Sequence, residues 1–160
     1  MTLIAETRSA ILPGLPAGFT MREPEAADAE QLGRLYFESD VPGATCGSAA
    51  EAIKEIRSCF QGELGGLWSG ASGLIEHGSG LVAALLAVHR APWDDTPDCP
   101  FIIDLFTDHR FRRQGLARAL LMRCLTRTSM TDRPRLALRV DSANQAAIRL
   151  YESAGFHPDG

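Results

Sequence analysis

The sequence predicts a single mixed α/β (α+β) domain. Three observations carry that expectation. Stretches with apolar residues at alternating positions are interleaved with stretches whose apolar residues recur every three or four. Two early strand-like runs meet across "HGSG", a turn short enough for an antiparallel hairpin. A helix-length segment separates the last two strands, as a parallel βαβ crossover requires. At 160 residues the chain can build one well-packed core but is short for two.

Phe19–Glu23 alternates apolar and polar and reads as a strand. Asp28 with Gln31 has the spacing of a capping box, and Leu32, Leu35 and Tyr36 follow at helical spacing. "SDVPGATCG" (Ser39–Gly47) is a loop. Ser48 with Glu51 repeats the capping pattern, and Ile53, Ile56 and Phe60 form the apolar stripe of a second helix. Ala71–Glu76 and Leu81–Val88 are the hairpin strands, the second continuously apolar as in a strand covered on both faces. After the acidic, proline-bearing "APWDDTPD", Phe101–Phe106 is the next strand. A helix from about Arg113 to Arg127, a strand at Arg135–Val140 and a last helix carrying Ala147, Leu150, Tyr151 and Ala154 complete the chain. Gly155 stands where a left-handed C-cap belongs. The order is β-α-α-β-β-β-α-β-α.

No apolar run is long enough for a membrane span, "LVAALLAV" included, and the first residues lack the basic region of a signal peptide. Cys46, Cys59, Cys99 and Cys124 are scattered, without a Cys-x-x-Cys pair or clustered histidines. That argues against a zinc site and a disulfide framework, so no metal and a reduced, cytoplasmic setting are expected. The net charge is −4, but residues 1–100 hold 14 acidic and 6 basic side chains while residues 101–160 hold 6 and 10. Either the halves face partners of opposite charge or the bias is chance placement of solvated surface charge. A net acidic chain with no broad basic stripe speaks against nucleic acid. Residues 9–18, rich in Pro, Gly and Ala, are the one candidate linker. Residues 1–18 therefore read as an N-terminal extension and 19–160 as the domain.

The sharpest local question is "FRRQGLARALL" (Phe111–Leu121). A helix N-terminus already carries about half a positive charge and four unpaired N–H groups. Yet Arg110, Arg112, Arg113 and Arg118 crowd this one. If an anion sits there, the conflict reverses: the arginines become counter-charges and the helix dipole adds to their attraction. Gly115 lets backbone approach a ligand, and Ala117 adds little bulk beside it. A solvated basic turn is the plainer alternative. Neither a Gly-Lys-Ser/Thr P-loop nor a Gly-x-Gly-x-x-Gly fingerprint is present.

"IIDLFTDHRFRRQGLARALL", then a strand, then "NQAAIRLYESAGF" resembles the GNAT superfamily of acyl-CoA-dependent N-acyltransferases. The resemblance covers roughly Phe101–Phe156, and the N-terminal half only in the order of its elements. The family signature Arg/Gln-x-x-Gly-x-Gly/Ala falls on Arg112, Gly115 and Ala117. The second signature, Asn-x-x-Ala-x-x-Leu-Tyr-x-x-x-Gly-Phe, is complete at Asn144, Ala147, Leu150, Tyr151, Gly155 and Phe156. The resemblance implies a mixed central sheet with antiparallel N-terminal hairpins, a V-shaped splay at the fourth strand and flanking helices. It implies acetyl-CoA as cosubstrate. Backbone amides across Arg112, Arg113, Gln114, Gly115, Leu116, Ala117 and Arg118 would bind its pyrophosphate, and Leu105, Phe106 and Thr107 its pantetheine arm.

The chemistry so implied is direct attack of a neutral amine on the thioester. An alkyl amine is mostly protonated at neutral pH, so a base is needed. Asp104 stands three residues before Thr107, where relatives often carry a basic Glu; otherwise it faces outward or pairs with an arginine. Glu23 and Glu76 are weaker candidates. Tyr151 matches the usual proton donor to the leaving thiolate, against the alternative of a core tyrosine. Asn144 caps its helix and touches the coenzyme. Asp40, Asp94, Asp95 and Asp98, in the loops that usually form the acceptor cleft, favour a cationic small molecule or peptide as the amine. A non-catalytic acyl-CoA-binding domain is the rival reading. Relatives continue past Gly-Phe with a further strand that this sequence lacks. A sheet edge is therefore left to be covered by residues 2–8 or by a second subunit, in a homodimer.

Overall fold

The computed structural model describes residues 1–39, 46–78 and 80–160. Its described residues form one seven-stranded sheet: β1 (Thr2–Glu6), β2 (Phe19–Arg22), β3 (Gly73–His77), β4 (Gly80–Val88), β5 (Phe101–Thr107), β6 (Arg135–Arg139) and β7 (His157–Pro158). Their spatial order is β2-β3-β4-β5-β6-β1-β7. Every neighbouring pair is antiparallel except β5 and β6, which are parallel and joined by a helix. The helices are α1 (Ala29–Glu38), α2 (Ala49–Phe60), α3 (Leu116–Ser129) and α4 (Gln145–Ser153).

Both sheet faces are covered. Leu116, Leu120, Leu121 and Leu125 of α3 and Ile148 of α4 pack on Ile75, Leu85, Leu136 and Leu138. On the other face Leu32 and Leu35 of α1 and Ile56 and Cys59 of α2 pack on Leu74, Ala84, Leu86 and Phe106. Neighbours in sequence, such as Leu85 and Leu86, thus point into different cores, which is why β4 is apolar throughout. Helices α1 and α2 approach closely at Gly33, where a Cβ would lie 2.4 Å from the Cα of Ile53. Any larger residue there would push the pair apart.

The feature that makes the site is a parting of two strands. β5 and β6 pair only at Phe101↔Ala137 and Ile102↔Leu138. On its other edge β5 pairs with β4, and the register shifts between Ala87↔Ile102 and Leu86↔Asp104, leaving Ile103 as an extra residue. Such a bulge bends and twists its strand. Beyond it β5 leaves β6, and the expected splay opens as a wedge.

Residues 1–18, set apart from the domain on sequence, contribute β1 to this same sheet. It pairs antiparallel with β6 from Thr2↔Arg139 to Glu6↔Arg135 and buries Leu3, Ile4 and Ala5. β1 in turn pairs with β7 at Leu3↔Pro158 and Ile4↔His157. The edge of β6 is therefore covered from within the chain, by the first of the two covers the sequence suggested.

Other boundaries differ for local reasons. Asp28 does not cap α1 through its side chain; its carboxylate accepts the Glu25 N–H (2.7 Å) and bonds Arg22. Ser48 does cap α2, accepting the Glu51 N–H at 3.2 Å, while Glu51 reaches back to the Gly47 N–H at 2.7 Å. α3 begins at Leu116 rather than near Arg113, because Arg113 (φ 63°) and Gly115 (φ 77°) are left-handed and cannot continue a helix. The loop expectation over Ser39–Gly47 falls largely on residues 40–45, and that over "HGSG" partly on residue 79, both outside the described residues.

Candidate active site

The C-terminal end of β5 delivers the chain into the turn that raised the charge question. Asp108 is buried, donates its own N–H to the Val82 carbonyl (2.8 Å), and caps a short 3-10 turn by accepting the Arg110 N–H (3.0 Å). Its carboxylate also takes the Arg110 guanidinium at 2.7 Å, which holds the Asp108 carboxyl below its usual range. Arg112 is extended, Arg113 and Gly115 are left-handed, and α3 starts immediately after. Alternation of backbone hand turns successive N–H groups toward one side, the geometry of an anion-binding nest. The N–H groups of Gln114, Gly115, Leu116 and Ala117 have no acceptor among the described residues.

The arginines divide the work. Arg110 is neutralised by Asp108. Arg112 turns away from the nest and donates to the carbonyl of Ser39 (2.7 Å) at the end of α1, and more weakly to that of Thr107 (3.4 Å). Arg118 donates to the hydroxyl of Ser153 on α4 (2.7 Å). Only Arg113 has no side-chain partner among the described residues. The Arg110 and Arg112 side chains therefore lock the turn in place, and the groups left open to an anion are the backbone amides, the helix N-terminus and Arg113.

The turn opens into a cavity of about 1010 Å³ that follows the wedge between β5 and β6. Its walls include Asp104, Leu105, Phe106, Thr107, Arg112, Arg113, Gly115, Leu116, Ala117, Arg118, Asn144 and Tyr151. Of the residues that the resemblance assigns to the coenzyme, with Asp104 and Tyr151, Gln114 alone among the described residues is absent from that lining. Asn144 caps α4, accepting the Ala147 N–H at 3.2 Å.

Asp104 follows the bulge and is half-buried, with no hydrogen-bond or ion-pair partner among the described residues. Burial, and secondarily Glu55, push its carboxyl up to about 8. Tyr151, from α4, is 8% exposed and set edge-on to Phe156. Burial, with Asp104 second, pushes its phenol up to about 12. Glu23 and Glu76 lie outside the cavity, Glu23 near Arg123 (3.9 Å) and Glu76 on Arg22.

The acidic loops do not supply the cavity's negative charge. Asp95 pairs with Arg139 (3.0 Å), Asp98 with Arg90 (3.5 Å), and none of Asp94, Asp95 or Asp98 lines the cavity. Asp40 lies outside the described residues. The acids that line the cavity are instead Asp104 and Asp141. Sequence reasoning missed Tyr36, Ser39, Arg139 and Asp141 in the lining. Tyr36 reads as one more apolar-stripe residue, and nothing local distinguishes it.

A nest of unpaired amides at a helix start thus opens into a wedge that holds an unpaired carboxyl and a phenol. A sequence profile of the acetyltransferase (GNAT) family matches residues 48–156, and the chain belongs to that family. No curated protein sequence matches it. Among solved structures it resembles a GCN5-related N-acetyltransferase from Sphaerobacter thermophilus (TM-score 0.73, 20% identity, 97% of this chain and 47% of that one). It also resembles yncA from Salmonella typhimurium with its cofactor acetyl-CoA (0.69, 16%, 89% and 82%). A third is the aminoglycoside N-acetyltransferase AAC(6')-Iy in complex with CoA (0.69, 15%, 94% of each). Among the described residues no cluster of His, Cys, Asp or Glu could hold a metal ion, and no helix is long and apolar enough to cross a membrane.

Proposed function

We propose that the protein moves the acetyl group of acetyl-CoA to a primary amine, by direct attack in a ternary complex, and that the amine is a cationic small molecule or peptide. The observation that carries this reading is the meeting of three groups in one cavity: the nest at residues 113–117, Asp104 and Tyr151.

The nest amides and Arg113 take the pyrophosphate. Beyond the bulge, the edge of β5 at Leu105–Thr107 has no strand partner on the β6 side, so apart from the Thr107 carbonyl, which Arg112 reaches weakly, its backbone groups are left for the amide-bearing pantetheine arm. This sets the thioester in the wedge, between Asp104 and Tyr151. Asp104 accepts the proton of the arriving ammonium, directly or through water. A carboxyl near 8 is matched to that task, because it is a far stronger base than an ordinary aspartate. As the N–C bond forms and the C–S bond breaks, Tyr151 gives its proton to the departing thiolate, the second proton shed by the acylated nitrogen restores the phenol, and Asp104 passes the first to solvent. Its raised pKa keeps the phenol protonated at working pH.

The open cavity and two unpaired ionisable groups support catalysis over a non-catalytic acyl-CoA-binding domain. We place the reaction in the cytoplasm, a reading supported by four free cysteines. The test is release of free thiol from acetyl-CoA across a panel of amines, with the acetylated product identified by mass. No release with any amine, in a protein that binds CoA, overturns the catalytic reading.

A further inference from the structure

Arg112 stands in the turn that starts α3, where the helix N-terminus is positive, yet its guanidinium does not face the nest. It reaches the opposite end of another helix, where Nη2 donates to the carbonyl of Ser39, the C-cap of α1, at 2.7 Å. A helix C-terminus leaves carbonyls unpaired and carries about half a negative charge, so a cation there gains a hydrogen bond and a favourable field together. Nε of the same guanidinium reaches the Thr107 carbonyl, at the end of β5, at 3.4 Å. One planar side chain thus spans the turn, the strand before it and the end of α1.

This joint lies on the cavity. Ser39, Thr107 and Arg112 all line it, and so does Tyr36, about one turn earlier on α1. Ser39 is buried and braced within its own helix, its N–H (2.8 Å) and its hydroxyl (2.6 Å) both given to the Leu35 carbonyl. Tyr36 is buried too, its ring edge-on to Phe106 at 5.2 Å. Among the described residues the Arg112–Ser39 contact is the only hydrogen bond between α1 and the turn, across 73 positions of sequence. The Arg112 backbone is extended (φ −69°) directly before the left-handed Arg113 (φ 63°). The reach to Ser39 therefore depends on the same backbone alternation that builds the nest.

We propose that Arg112 is a positioning residue that couples the two ends of the cavity. The coenzyme's pyrophosphate, once in the nest, fixes the turn; the fixed turn presents Arg112 to Ser39; and the end of α1, with Tyr36, is held in place as the far wall. That the anion is the coenzyme's rests on the function proposed above; the tie between α1 and the turn does not. Coupling of this kind is reciprocal, so a docked α1 also strengthens coenzyme binding.

The experiment is amide hydrogen exchange, read by mass spectrometry, on wild type, Arg112→Met and Arg112→Lys, each free and saturated with CoA. Met keeps the length of the stem and removes the donor, whereas Lys keeps a cation and a donor for Ser39. Arg112 is exposed, so both variants should fold, and unchanged exchange of β4 checks it. In wild type CoA should slow exchange at residues 35–39 by about fivefold or more, a typical size for coupling between two sites. Arg112→Met should lose most of that slowing, and Arg112→Lys should recover part of it. A purely structural tie would instead speed exchange equally with and without CoA. By reciprocity, calorimetry should show CoA affinity lowered in Arg112→Met by about the factor lost from the exchange. Slowing that survives in Arg112→Met, or no recovery in Arg112→Lys, overturns the proposal. So does an Arg112→Met that binds no CoA, since the side chain would then act on the coenzyme and not on α1. A wild type that binds CoA without slowing at α1 overturns the coupling and leaves the coenzyme reading. One that binds no CoA overturns the coenzyme reading and the coupling with it.

Discussion

Replacing Asp104 with asparagine should make the protein more stable and nearly inactive, with a pH signature for each effect. The carboxyl is raised from 3.8 to about 8, so between those values the folded state holds a proton that the unfolded chain releases. Stability therefore falls as pH rises through that window, and the whole penalty is present above pH 8. At about 1.4 kcal/mol per pH unit a fully enclosed group would cost about 6 kcal/mol. Asp104 lines an open cavity and is only partly enclosed, so a cost of about 1–3 kcal/mol is expected. Asparagine carries no such penalty. Urea unfolding should show Asp104→Asn equal to wild type near pH 4 and more stable by that amount at pH 9. The base acts ionised, so wild-type kcat/KM should climb with pH up to about 8, and the variant should lose roughly 10²-fold or more together with that limb. A variant with full turnover and an intact limb would place the base elsewhere. A stability gain independent of pH would mean that Asp104 is not held protonated.

Three further outcomes follow from the same geometry. A Cβ at Gly115 meets no atom within 4 Å, so Gly115→Ala should fold, with strain of about 1 kcal/mol from φ 77°. The methyl group stands in the nest, and calorimetry should show CoA affinity reduced by about tenfold or more; unchanged affinity would refute the phosphate assignment. Tyr151→Phe keeps the packing and removes the proton donor, so turnover should fall by roughly 10²-fold at near-constant CoA affinity; unchanged turnover where chemistry limits the rate returns Tyr151 to the core. Deleting residues 2–8 removes the buried Leu3 and Ile4 and bares the edge of β6. That should cost on the order of 3 kcal/mol and lower Tm by roughly 6–12 °C, and an unchanged Tm would refute the stabilising role of β1.

The turn that we propose for the coenzyme was legible in the sequence because its determinants are local. A nest needs only the backbone of a few consecutive residues, and Arg112 through Arg118 specify it with a glycine at a left-handed position. Asn144 and Tyr151 are likewise fixed by their places on one short helix. The far wall of the cavity was not legible, because it is built from elements distant in sequence. Tyr36 and Asp104 come to line one cavity only when α1 folds over β5, and an isolated tyrosine on an apolar stripe carries no sign of that. The acids of Ala91–Pro100 misled for the same reason: nothing in the sequence pairs Asp95 with Arg139. β1 was set outside the domain because its partner in register, β6, lies far along the chain and a Pro- and Gly-rich stretch follows it. β7 is a two-residue strand containing proline, below what periodicity can detect.

The central claim is direct transfer within the wedge, and its most direct measurement is the product balance with acetyl-CoA and the amine of the panel that gives the fastest thiol release. The account predicts one acetylated amine for each free thiol, both lost together in Asp104→Asn, with no acetyl group on the protein at any time. Thiol release without acetylated amine, or a protein that carries the acetyl group when the amine is withheld, would contradict it.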